Sequence, residues 1–171
     1  MAQAAIALGG NLGDPQHILY KAVQAIDSKV GISVAARSHF YQTAPVGPPQ
    51  PDYLNACIVV ETKLTPRALL HQLLSIENQF GRIRKERWGA RSLDLDLLLF
   101  GEQIIDLPGL TVPHPRLHER AFVLIPLMDI APQWLHPIFG KTIAQLTAEL
   151  SASHLQTDVK QLPFSPAFPC P

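Results

Sequence analysis

The chain has 171 residues, 47% of them hydrophobic and 16% charged, with 14 basic side chains against 14 acidic ones. That composition excludes global disorder and sets the expectation of one soluble domain, long enough to bury about two-thirds of its unfolded surface without disulfide staples. Zero formal charge argues against broad polyanion binding, and the two cysteines, Cys57 and Cys170, exclude a cysteine-ligated zinc site and fit a reducing compartment.

Residues 1–8 carry no basic side chain ahead of a short apolar stretch, so they read as a first strand and not as a secretory leader. No run approaches the ~18 apolar residues needed to cross a bilayer, and a cytoplasmic location is the expectation. The strand, Ala4–Gly9, runs into Gly9-Gly10-Asn11-Leu12-Gly13, and Asp14-Pro15 supplies a cap and a first-turn proline for a helix. Ile18, Leu19, Ala22, Val23 and Ile26 keep helical spacing until Gly31, after which Ile32–Tyr41 reads as extended. The proline-rich segment 42–52 is a loop. Tyr53–Thr62 is β-rich, and Thr65-Pro66 opens a second helix whose expected buried stripe is Leu69, Leu70, Leu73, Leu74, Ile76 and Phe80, ended by Gly81.

Residues 82–91 lack periodicity and carry Arg82, Arg84, Lys85, Arg87 and Arg91 against the single anion Glu86, which makes them a basic loop. Ser92–Phe100 follows as a strand, and Gln103–Ile105 with Leu110–Val112 is expected to form a hairpin. Pro126 reduces the apolar stretch Phe122–Met128 to a helix start or an edge strand, and Thr142–Leu150 predicts a short helix. The single domain is expected over residues 1–162, with a mobile proline-rich tail over 163–171.

The order β-α-β-β-α-β through residue 100 predicts an α+β fold of the ferredoxin-like kind, an antiparallel sheet with two helices on one face and the other face free for ligands, extended by a C-terminal hairpin and helix. Enzymes and RNA-binding modules share that arrangement, so the site residues must decide function.

Side chains alternate along a strand, so Asp94 and Asp96 leave one face while Leu93, Leu95 and Leu97 leave the other. Two carboxylates converging beside apolar sequence repel each other unless a cation compensates. Oxygen ligands without alternating Cys or His suit Mg²⁺, which keeps waters and completes its shell with substrate phosphates. An isolated Asp-x-Asp pair is otherwise the polar face of an edge strand, and an isolated charge run is a solvated connection. Placed side by side, the basic loop and the acidic strand divide the labour of phosphoryl transfer: metal ions bridge phosphate oxygens while guanidinium forks hold the transferred group. Tyr53 and Asn55, at i and i+2, offer an aromatic plate and a paired donor and acceptor to a flat heteroaromatic ring, with Phe122 as a candidate second plate.

Gly9-Gly10-Asn11-Leu12-Gly13, Phe40-Tyr41-Gln42-Thr43, Gln50-Pro51-Asp52-Tyr53-Leu54-Asn55, the stretch from Arg82 to Asp96, and Val112-Pro113-His114-Pro115-Arg116 through Arg120-Ala121-Phe122 closely resemble the 6-hydroxymethyl-7,8-dihydropterin pyrophosphokinases of folate biosynthesis, over residues 4–138. The resemblance implies transfer of pyrophosphate from ATP to the pterin hydroxymethyl group, with two Mg²⁺ ions on Asp94 and Asp96. It implies that Arg82 and Arg91 steady the transferred group. It puts Glu77, Arg84, Trp88, Leu97, His114 and Arg120 against ATP, Tyr53 and Phe122 around the pterin, and Thr43, Val46 and Asn55 along the pterin edge. The expected partners are these small molecules, with no nucleic acid and no membrane, and the expected state is a monomer. Two rival classes fit less of the chain. An RNA-binding module leaves the Asp pair without a use, and a metal-dependent nucleotidyl transferase or cyclase leaves Tyr53, Asn55 and Phe122 unexplained.

Overall fold

The computed structural model describes residues 1–44, 49–81, 92–152 and 159–163. The chain is a mixed α+β domain, with four α-helices among the described residues. Five strands run in the order β10 (Val159–Gln161), β3 (Tyr41–Thr43), β4 (Tyr53–Thr62), β1 (Ala2–Gly10), β5 (Asp94–Phe100), and β2 (Ile32–Arg37) also pairs with β4. Every pairing in this sheet is antiparallel.

Helix α1 (Pro15–Asp27) starts where Asp14 Oδ1 accepts the His17 N–H, and α2 (Pro66–Gln79) starts where Thr65 Oγ1 accepts the Ala68 N–H, each with proline in the first turn. Both pack on one sheet face. Leu19, Val23, Ile26, Leu69, Leu73 and Ile76 bury there against Ile6, Leu8, Ile58 and Val60 of the sheet. Each such side chain contributes about 1.5–3 kcal/mol of apolar transfer free energy. Leu74, expected in the α2 stripe, is 43% exposed instead, and Glu77 takes a buried place.

The opposite face is not free, as the element order alone suggested. A helix, α3 (Ala121–Ile130), and a second one, α4 (Ile143–Ala152), cover most of it with a separate core of Val123, Leu124, Leu127, Ile143 and Leu146 over Ala5, Ala7, Cys57 and Val59. Small residues at 5 and 7 leave room for α3 to approach the sheet, and apolar residues on both sides make β1 read as a continuous hydrophobic run. Pro126 lies inside α3, which continues through it. The register of β5 shifts between Leu97 and Leu99, a bulge that turns both Leu98 and Leu99 toward this second core.

Three further features escaped the sequence pattern. The extended stretch 32–41 breaks at Ser38–Phe40, because Ser38 Oγ accepts the Cys57 N–H and the His39 N–H turns to the Asp129 carboxylate on α3. Tyr41 also donates its hydroxyl to Asp129, at 2.8 Å. Strand β10 adds to β3, and a two-residue ladder joins β8 (Leu135–His136) to β9 (Lys141–Thr142). The expected hairpin forms from β6 (Ile105–Leu107), two residues later than expected, and β7 (Leu110–Val112), at the expected place. The tail beyond Pro163 lies outside the described residues.

His136, 2% exposed, accepts the N–H groups of Ile138 and Phe139 at Nδ1 and stacks on the Phe139 ring at 4.4 Å. Burial, reinforced by neighbouring His118, pushes its pKa below the ordinary value of 6.5. The unfolded chain therefore takes up this proton at a higher pH than the folded one. The associated stability is complete above about pH 6.5 and is lost as pH falls toward the folded value. Asparagine retains a side-chain acceptor without titrating, so His136→Asn should lose less stability than the parent between pH 7.5 and 5.5 in urea denaturation. An unchanged difference would assign the pH dependence to other groups, His114 among them.

Candidate functional site

The polar end of the second sheet face follows from the strand register. Gly9 lies opposite Asn55 on β4 and opposite Asp94 on β5, and Ala7 lies between Cys57 and Asp96. Along each strand the alternation that buries Ala5, Cys57, Val59 and Leu98 under α3 continues into Gly9, Asn55, Tyr53, Asp96 and Asp94. Asp94 and Asp96 thus share one face of β5, with Leu93 and Leu95 on the helix side. Leu97 also belongs to the helix-side core, at 5% exposure. Its side chain faces away from the aspartates, which leaves only its main chain for the nucleotide contact the resemblance implied.

Asn55 is 7% exposed and donates from Nδ2 to Thr43 Oγ1 at 2.9 Å, so two of the residues expected at a pterin edge are joined directly. Tyr53 follows Thr43 in the register and its hydroxyl reaches Gln50 Oε1 at 3.5 Å. Asn11, not singled out from sequence, is 2% exposed and donates to Gln50 Oε1 at 2.9 Å and to the Pro51 carbonyl at 2.8 Å. It ties the turn after β1 to the loop before β4. The only signal in the sequence was its place in the glycine-rich turn.

The segment after β7 brings cationic groups to the same aspartates. The His114 N–H bonds the Leu98 carbonyl at 2.9 Å, and His114 Nδ1 accepts the Arg116 N–H at 3.1 Å. Burial lowers the His114 pKa, opposed by Asp96 and assisted by Arg120 and Arg116. Burial likewise lowers that of Arg120, with Asp96 and Asp94 opposing. Asp96 is therefore electrostatically close to both, although neither lies near it in sequence. The Arg120 guanidinium stands 5.6 Å from the centroid of the Phe122 ring, within cation–π range, and Phe122 occupies the first turn of α3.

Glu77 has a structural partner that its expected nucleotide role did not include. It is 2% exposed, and its Oε2 accepts the N–H of Leu95 at 2.7 Å. β5 is the end strand of the sheet, so Glu77 supplies the partner that a neighbouring strand would have given. That bond lies between Asp94 and Asp96 and braces the acidic strand from α2.

Val46, Arg82, Arg84, Trp88 and Arg91 lie outside the described residues, as does the rest of the basic loop. Among the described residues no cluster of three or more His, Cys, Asp and Glu side chains could by itself hold a metal. The pair of carboxylates suits an ion that takes one or two protein oxygens and draws its remaining ligands from phosphate and water, which is the habit of Mg²⁺. A separate cleft lined by Gln3, Gly101, Glu102, Trp134 and Leu135 lies toward the opposite end of β1 from Gly9 and shares no residue with this site.

Carboxylates, a neutral imidazole and a guanidinium at the end of one sheet, beside a buried amide and an aromatic ring, form a site suited to a phosphorylated nucleotide next to a flat polar heterocycle. The sequence model of the 7,8-dihydro-6-hydroxymethylpterin-pyrophosphokinase (HPPK) family matches residues 5–132. The chain belongs to that family. A 2-amino-4-hydroxy-6-hydroxymethyldihydropteridine pyrophosphokinase of Synechocystis sp. is 45% identical over 150 residues, covering 88% of this chain and 77% of the relative. The enzyme of the same name from Haemophilus influenzae is 46% identical over 138 residues, covering 80% and 86%. Among solved structures, an HPPK-DHPS in complex with substrates superimposes with a TM-score of 0.72 at 16% identity, covering 94% of this chain and 46% of that one. The wild-type HPPK-DHPS of Plasmodium falciparum gives 0.71 at 16% identity, covering 88% and 41%. This chain thus spans less than half of those solved chains, and at such identities the likeness is one of fold. Among the described residues no helix is long and apolar enough to cross a membrane.

Proposed function

We propose that the chain carries out the reaction of its family, transferring pyrophosphate from ATP to the hydroxymethyl group of 6-hydroxymethyl-7,8-dihydropterin and releasing AMP and the dihydropterin pyrophosphate in folate biosynthesis. The observation that carries the reading is the register that puts Asp94 and Asp96 on the sheet face that holds Asn55 and Tyr53. The two-crossover strand order β5-β1-β4-β2 supports a ferredoxin-like description of the core. A cytoplasmic, monomeric enzyme that meets only small molecules fits the same reading.

Asp94 and Asp96 would hold two Mg²⁺ ions, which supply charge neutralisation at the phosphate oxygens. The protein's own groups do the positioning. His114 accepts at Nδ1, so its neutral ring carries the proton on Nε2 and can donate it to a phosphate oxygen. Arg120 adds a fixed cation beside the aspartates, with Arg82 and Arg91 of the basic loop on the transferred group and Arg84 and Trp88 on the nucleotide. Tyr53 and Phe122 sandwich the pterin, and Asn55, Thr43 and Val46 read its edge. The substrate hydroxyl then attacks the β-phosphorus in line, and the bond to the α-phosphate oxygen breaks. Closure of the segments 9–14, 43–52 and 82–91 would keep water from intercepting the group.

The test is AMP release from ATP with Mg²⁺, with and without the hydroxymethyl dihydropterin. Formation of AMP only when the pterin is present is the expected result. AMP at the same rate without pterin, or none with it, overturns the assignment.

A further inference from the structure

We infer that Gly9 is a positioning residue for the Asn55 amide, and through it sets how tightly the pterin edge is held. This rests on the proposed reaction. A glycine inside a strand weakens it and needs a reason. Backbone conformation is not the reason here, because Gly9 lies outside the left-handed region in which glycine is favoured. Close approach is. A Cβ built on Gly9 would stand 3.1 Å from Asn55 Oδ1 and 3.6 Å from the Leu54 carbonyl oxygen. The nearer of these is tighter than an ordinary contact, and the Asn55 side chain is buried and tied through Nδ2 to Thr43.

The amide is therefore held at one end and given room at the other. Its nitrogen is fixed by the Thr43 hydroxyl, and its oxygen occupies the space that any other residue at position 9 would claim. With one amide hydrogen committed to Thr43, Asn55 retains the second hydrogen and the Oδ1 acceptor, a donor–acceptor edge for a ring that carries an amino group beside a lactam. Gly9 lies between Asn55 and Asp94 in the register, so the vacant Cβ position also separates the ring-reading amide from the phosphate-handling carboxylates. An alanine at 9 must shift Oδ1 by a few tenths of an ångström or turn the amide and stretch its bond to Thr43.

The experiment is steady-state kinetics of Gly9→Ala with the hydroxymethyl dihydropterin and ATP. We expect the pterin KM to rise about five- to tenfold, the loss of one well-aligned hydrogen bond, with kcat and the ATP KM within about twofold of the parent. In the Asn55→Ala background the same change should add nothing, since the group it displaces is gone. Thr43→Val leaves Gly9 intact and frees the other end of the amide, so it should raise the pterin KM alone, and this keeps the test open should Gly9→Ala fold poorly. An unchanged pterin KM in both single variants, or an effect of Gly9→Ala that persists without Asn55, overturns the inference. A parent enzyme that releases no pterin-dependent AMP would overturn the reaction itself, a separate outcome.

Discussion

Asp96→Ala should lower kcat by about three orders of magnitude while pterin binding stays within a few-fold of the parent. The reasoning starts from charge. Asp94 and Asp96 leave one face of an end strand, and Asp96 is close enough to His114 and Arg120 to oppose the effect of burial on both. If the proposed metal role holds, removing it would delete one of the two carboxylates offered to Mg²⁺, together with a charge that acts on both His114 and Arg120. Metal-based neutralisation of a phosphoryl transition state is worth several kcal/mol, and ~4 kcal/mol corresponds to about a thousandfold in rate. The pterin recognition proposed for Asn55, Thr43 and Tyr53 does not pass through this carboxylate. Relief of the repulsion with Asp94 offsets the lost attraction to Arg120, so the substitution should leave thermal stability near that of the parent. Retained turnover at saturating Mg²⁺ would remove Asp96 from the metal site, and a large loss of thermal stability would make the kinetic effect structural.

Glu77→Ala should cost stability and turnover together. The variant leaves the Leu95 N–H buried without its acceptor, a loss of about 1–3 kcal/mol. At 2–4 °C per kcal/mol for a chain of this size, Tm should fall by roughly 3–10 °C. Because that bond sits between Asp94 and Asp96, the acidic strand loosens and kcat falls, about tenfold for a sub-ångström displacement of ligands. Glu77→Gln keeps an acceptor and should recover most of the stability. A residue that touched ATP directly would behave differently, raising the ATP KM with little change in Tm. Calorimetry alongside ATP titration separates the two roles, and a loss confined to the ATP KM would reinstate the nucleotide contact.

The legibility of this fold varied with the range of the interaction. Helix starts at Asp14-Pro15 and Thr65-Pro66 were readable because a cap bonds within three residues. Tyr53–Thr62 was readable because the β-branched run Ile58-Val59-Val60 marks it and no Gly or Pro interrupts it. The faces of Asp94, Asp96, Tyr53 and Asn55 were readable because strand periodicity is a local property. Leu74 was misplaced because its apolar character alone does not tell the edge of a stripe from its centre, and the exposed side chain sits next to the position from which Glu77 turns inward. The break at Ser38–Phe40 depended on Asp129, about ninety residues away, and no neighbouring residue announced it.

Sequence by itself determined the two capped helices and the main strands through residue 100, which residues share a strand face, and the family to which the chain belongs. Tertiary structure alone decided that α3 and α4 close most of the second face, leaving its polar end to the site. It also decided that Glu77 braces the Leu95 N–H and that the charge of Asp96 acts on both His114 and Arg120. The physical reason is that periodicity and caps act over a few residues, whereas these contacts form only once loop closure has brought distant segments together and burial has forced each polar group to find a partner.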